Sequence, residues 1–130
     1  MSNNLDIVKH IYKYTKEIQQ TITRFGNSEN IFLNDIDYKK SVCMSLLQIG
    51  ELTSKLSENY KSETKEIMNW SAIKALRNVF AHAYGSVRYH DIWEICQNDI
   101  PVLQSFCSEQ IKQLEAADKK KKTSRNALSL

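Results

Sequence analysis

The sequence predicts an all-α fold, an up-and-down bundle of four to five helices, from three observations. Apolar residues recur at steps of three and four along most of the chain, the period of helices buried on one side. Helix breakers are scarce, with one Pro and three Gly in 130 residues. The gaps between periodic segments are short, and no internal repeat, low-complexity linker or second core is visible. With 42% apolar and 25% charged residues, the composition suits one folded domain able to bury a core.

Each element follows from that period. Leu5, Val8, Ile11, Thr15, Ile18, Ile22 and Phe25 place a first helix over about residues 4–25. The segment Gly26-Asn27-Ser28-Glu29-Asn30 reads as a loop by composition. Val42, Leu46, Ile49, Leu52 and Leu56 stripe a second helix from about Asp35 to Asn59. Met44 and Leu47 widen the stripe, as in a central helix buried on more than one side. Gly50 weakens that helix locally and marks a candidate close crossing. Asn69 as N-cap and Gly85 as C′ residue bracket a third helix, WSAIKALRNVFAHAY.

A last periodic run, from Ile92 through Ile100 and Phe106 to Leu114, extends to about Ala117. Pro101 lacks the amide hydrogen a helix needs, so a kink or break is expected near Asn98-Asp99. The bundle is therefore assigned to residues 1–117. Residues 118–130, with the Lys119–Lys122 run, are read as a flexible basic tail.

Charge and cysteine content narrow the function. Lys plus Arg is 18 against 15 for Asp plus Glu, a net charge of +3. The tail holds four Lys, one Arg and one Asp, which leaves the body at −1. Proteins that grip phosphates over a broad face usually have a basic body. Any RNA contact here must be local, come from the tail, or use a surface shared between subunits. No stretch approaches the roughly 20 apolar residues of a membrane span. The start MSNNLDIVKH shows no basic segment followed by an apolar one, so no secretory signal is expected. Cys43, Cys96 and Cys107 form no C-x-x-C pair, and read as apolar residues of a reduced, cytoplasmic protein.

Several chemistries lack their residues. There is no Gly-rich phosphate loop, H-E-x-x-H pair or G-x-S-x-G elbow, and no His/Asp/Glu cluster with metal-ligand spacing. His10 and His90 read as surface or cap residues. The segment Arg77-Asn78-Val79-Phe80-Ala81-His82-Ala83-Tyr84 is different. On a wheel of about 100° per residue, Ile73, Leu76, Val79 and Phe80 share the core face. Arg77, Asn78, Lys74 and His82 share the opposite, polar face, with Trp70 and Tyr84 at its edge. Most such faces are simply wet. Two large aromatic residues at a face meant only for water are costly, and a fixed cation with a His one turn further on is a usable acid–base set.

The R-N-x-x-x-H-x-Y pattern on a Trp-led helix, preceded by LLQIGELTSKLSE, resembles the HEPN superfamily and, more narrowly, its HepT-like toxins. The likeness extends over Asp37-x-x-x-x-Val42, Ile49-Gly50-Glu51, the motif helix, Val87 and Ile92-Trp93. It implies a metal-independent endoribonuclease that needs no cofactor, acts as a homodimer and cleaves tRNA or mRNA. Arg77 and His82 match the catalytic pair, and Asn78 its usual neighbour. Tyr84 matches the tyrosine that a partner MntA-like nucleotidyltransferase antitoxin modifies with AMP. The RNA 2′-OH would attack the adjacent phosphate, with His82 as acid or base and Arg77 stabilising the transition state. One His per chain is few for that task, and a two-fold dimer would supply a second. Glu51 and Lys74 are open candidates for assisting the site. The alternative is a non-catalytic HEPN subunit of a nucleotidyltransferase complex, which would not need the intact Arg–His pair.

Overall fold

The computed structural model describes residues 3–82 and 87–128, with backbone alone at Val79, Ala81, His82 and residues 124–128. The described residues are all-α. Helix α1 (Asn3–Phe25) buries Leu5, Val8, Ile11, Thr15 and Ile18, the stripe expected from the sequence. Gly26 stops it with φ of +119°, a left-handed conformation that residues with a β-carbon rarely adopt. The expected loop is shorter than Gly26–Asn30. Ser28 accepts a hydrogen bond from the Ile31 amide and caps a short helix α2 (Glu29–Asn34), so Glu29 and Asn30 are already helical.

Helix α3 (Ile36–Thr53) starts on an Asp35 cap that accepts from the amides of Asp37 and Tyr38. It ends at Thr53 and not at Asn59, and the chain restarts as α4 (Glu58–Thr64) on a Ser57 cap. Leu56 and Tyr60 are both buried across the break, so the apolar spacing runs on where the helix does not. Met44 is 58% exposed and does not widen the buried stripe. Tyr38, Cys43 and Ser45 give α3 its further buried sides.

Helix α5 (Trp70–His82) follows, then α6 (Tyr89–Glu94), a π turn (Ile95–Asp99) and α7 (Ile100–Leu128). The break expected at Asn98-Asp99 is this π turn. The Ile100 amide donates to the Ile95 carbonyl, five residues back, and the widened turn accommodates Pro101 without ending the helical path. Helix α7 continues past the boundary assigned at residue 117, and Lys119–Lys122 are helical and exposed.

Helix α1 packs against α3 and α7, and α3 against α5. At one end of the core, Phe32, Tyr38 and Trp93 form an aromatic cluster with ring centroids 5.0–6.4 Å apart. The Tyr38 hydroxyl donates to the Gly26 carbonyl at 3.0 Å, and burial pushes its phenol up to about 12. Among the described residues no buried side-chain polar atom lacks a hydrogen-bond partner, and no helix is long and apolar enough to cross a membrane.

Candidate active site

Helix α5 is docked by residues of opposite character on its two sides. At its start the Asn69 side chain accepts from the Ala72 amide at 3.0 Å, the cap the sequence predicts. The Trp70 ring meets Phe106 edge-on at 5.6 Å, and its indole Nε1–H donates to Thr64 Oγ1 at 2.9 Å. Trp70 is thus a half-buried anchor that also lines a groove together with Arg77, in keeping with its wheel position at the edge of the polar face. Its partners come from α4 and α7, which a single-helix projection does not contain. Phe80, 6% exposed, anchors the far end, and Ile73 and Leu76 pack between them.

The opposite side carries the candidate site residues. Gly50 of α3 lies directly under Arg77: a β-carbon on Gly50 would stand 2.7 Å from Arg77 Cβ and 3.3 Å from its Cα. Only glycine permits that approach, which settles why a residue of low helix propensity sits inside α3. The next residue, Glu51, accepts from Arg77 Nε–H at 2.8 Å. This bond takes one of the five guanidinium donors and orients the fork from one edge. Arg77 remains a third exposed, so its other donors can meet a ligand.

Arg77 also borders an open groove of about 760 Å³ between the end of α3, α4 and the first half of α5. Lys61, Lys65 and Lys74 line it as well, with Glu58 as the carboxylate among its lining residues. Glu58 pairs with Lys61 at 3.2 Å from a position 93% exposed. Lys61 and Lys65 did not emerge from the sequence, because their significance depends on α4 folding back toward α5. Their spacing of four residues on one helix face is the signal that could have marked them.

Of the predicted site residues, Arg77 stands at the groove and exposed Asn78 is its neighbour on α5. The backbone of α5 reaches His82, five residues and about 7.5 Å further along the axis. The His82 side chain, and Tyr84 and Gly85 altogether, lie outside the described residues. Of the two open candidates, Glu51 pairs with Arg77 and Lys74 lines the groove. His10 is exposed, its Nδ1 2.7 Å from the Asp6 carbonyl oxygen. His90 is exposed too, and its Nδ1 bonds the Glu29 carboxylate. Burial pushes the Cys43 thiol up to about 11 and those of Cys96 and Cys107 to about 12, which disfavours the thiolate a nucleophile requires.

Comparison with known proteins places the chain in a family. A family model described as ribonuclease HepT-like matches residues 11–110. A protein of Methanocaldococcus jannaschii whose name describes it as a candidate RNase is 23% identical over 100 residues, covering 77% of this chain and 83% of its own length. No solved structure matches the chain.

Proposed function

Since the chain belongs to the ribonuclease HepT-like family, we propose that it is a metal-independent endoribonuclease, the toxin of a toxin–antitoxin pair. The observation that carries this reading is the placement of Arg77. It is seated on Gly50, oriented by Glu51 and open to a groove in which cations outnumber carboxylates. A seated, partly exposed guanidinium suits a phosphate bound through two donors.

In the reaction the RNA 2′-oxygen attacks the adjacent phosphorus while a base takes its proton. The 5′-oxygen then leaves with a proton from an acid, giving a 2′,3′-cyclic phosphate and a 5′-hydroxyl end. His82 fills one of the two proton-transfer roles. Arg77 stabilises the charge gathering on the phosphoryl oxygens, and Asn78 supports it. A homodimer that brings two α5 helices together supplies the second His. The substrate is tRNA or mRNA. An MntA-like nucleotidyltransferase antitoxin silences the toxin by transferring AMP to Tyr84, which adds bulk and negative charge two residues after His82 in the sequence.

Purified protein should cleave RNA in the presence of EDTA and leave cyclic phosphate ends. Arg77→Ala and His82→Ala should each lower the rate by about 10²–10³-fold or more and end growth arrest in cells. Unimpaired cleavage by either variant refutes its assigned role. Loss of activity with EDTA and its return with Mg²⁺ would refute the metal-independent mechanism. Incubation with the nucleotidyltransferase and ATP should add AMP to the parent and not to Tyr84→Phe.

A further inference from the structure

Resting on the ribonuclease reading above, we infer that the groove bordered by Lys61, Lys65 and Lys74 is the track on which the sugar–phosphate backbone of a single-stranded RNA lies as it reaches Arg77. Charge is the first ground. Residues 1–117 hold thirteen Lys and Arg against fourteen Asp and Glu, so an arbitrary patch of the bundle is close to neutral. The groove collects four of those cations, with Glu58 as the carboxylate in its lining. Glu58 does not close the groove to an anion: it is 93% exposed, and an ion pair with Lys61 in that setting is weak and screened by salt. Neither Lys65 nor Lys74 has an ion-pair partner among the described residues.

The arrangement of the cations is the second ground. Lys61 and Lys65 stand four residues apart at the end of α4, and Lys74 and Arg77 three apart on α5. Each pair sets like charges on one helix face; Glu58 and Glu51 offset one member of each, Lys61 and Arg77, which leaves Lys65 and Lys74 for a polyanion to compensate. The two pairs face one groove from different helices, so they follow a path instead of a point. Ser62, Asn69 and Ser71 are among the other lining residues, and such polar groups commonly contact phosphate and sugar oxygens.

The path also leads somewhere. It reaches Arg77, and α5 continues from there to His82, so a strand in the groove delivers its next phosphate to the catalytic pair. The volume of about 760 Å³ would also hold a free mononucleotide, a different occupant that the experiment separates.

The probe is a fluorescent single-stranded oligoribonucleotide with 2′-O-methyl sugars, which blocks the nucleophile and lets binding be read without cleavage. Binding anisotropy is measured across a salt series for the parent and for Lys65→Ala/Lys74→Ala, both exposed positions, with folding checked by circular dichroism. At about 0.7 per phosphate contact on a single strand, the double variant should lower the slope of log K against log salt by about 1.4. Its kcat/KM on unmodified RNA should fall about tenfold or more, with kcat at saturation near the parent value. Lys13→Ala/Lys112→Ala removes the same charge away from the groove and should match the parent within about twofold. If the parent cleaves RNA and the groove variant binds and cleaves alike, the track is overturned and the ribonuclease reading stands. Equal losses in the two double variants overturn it also, since net charge alone would then explain binding. Loss of AMP or ATP binding with RNA cleavage unchanged assigns the groove to a mononucleotide and overturns the track. A parent that neither binds nor cleaves RNA overturns both readings.

Discussion

The two flanks of α5 differ in character, one charged and one apolar. On one, Lys61, Lys65, Lys74 and Arg77 border a groove of about 760 Å³. On the other, Leu46, Ile49, Ile73, Leu76 and Leu103 line a smaller cavity of about 290 Å³. A helix of 13 residues therefore does two jobs with two faces. The apolar flank holds it in place, and that attachment lets the charged flank keep like charges close together without the helix swinging away. The comparison teaches that position and reactivity come from different sides of the same element.

Undoing the apolar attachment should have the largest effect. Phe80→Ala removes a buried ring and should cost about 3–5 kcal/mol, read as a fall in thermal midpoint together with loss of RNA cleavage. A variant that melts like the parent would show that α5 is held by something else. Gly50→Ala attacks the contact between the flanks. Its new β-carbon would meet the Arg77 Cβ at 2.7 Å, so α3 and α5 must separate. Overpacking of about 1–3 kcal/mol is partly offset by about 1 kcal/mol of gained helix propensity. Cleavage should then suffer more than stability, when assayed at a temperature where the variant is fully folded. Equal cleavage by this variant would mean that the seat of Arg77 is immaterial.

Glu51→Ala sharpens the contrast at smaller cost. The pair with Arg77 is a third to two-fifths exposed, so stability should change by less than about 1 kcal/mol. Freed of its anchor, Arg77 should support a kcat lower by up to about tenfold, with Glu51→Gln recovering part of it through the amide oxygen. A change in KM alone would argue that Glu51 acts on binding and not on orientation.

The smallest effect lies away from α5. His90 joins α6 to α2 through Glu29, and that hydrogen bond raises its pKa above the ordinary 6.5. A raised imidazole contributes stability that is fully present below about 6.5 and lost as pH rises through its folded value. The thermal midpoint of the parent should therefore decline slightly over that window relative to His90→Gln. Parallel pH profiles for the two would remove the pair from the account of stability.

Much of this organisation was legible in the chain. Helix α1 follows its apolar stripe almost residue for residue, because a long amphipathic helix repeats one local rule many times. The Asn69 cap and the disturbance before Pro101 were readable for the same reason, since both arise within one turn of the residue responsible. Arg77 and Asn78 were singled out by spacing and resemblance, and Gly50 by its cost to the helix that carries it.

Long-range packing decided the rest. Periodicity could not see the end of α3, because Leu56 and Tyr60 keep the helical spacing on both sides of the break. A wheel could place Trp70 at the polar edge but could not show what holds it, because Thr64 and Phe106, which receive it, belong to other helices. The body charge of −1 concealed a local basic groove, because summing over sequence discards where each charge lies. By itself the sequence determined the all-α class and the amphipathic faces, set by neighbours a few positions apart, and it named the candidate site residues. Only the tertiary structure decided that Glu51 meets Arg77 across Gly50 and that α4 brings two lysines beside α5, because such contacts form only when helices distant in sequence pack together.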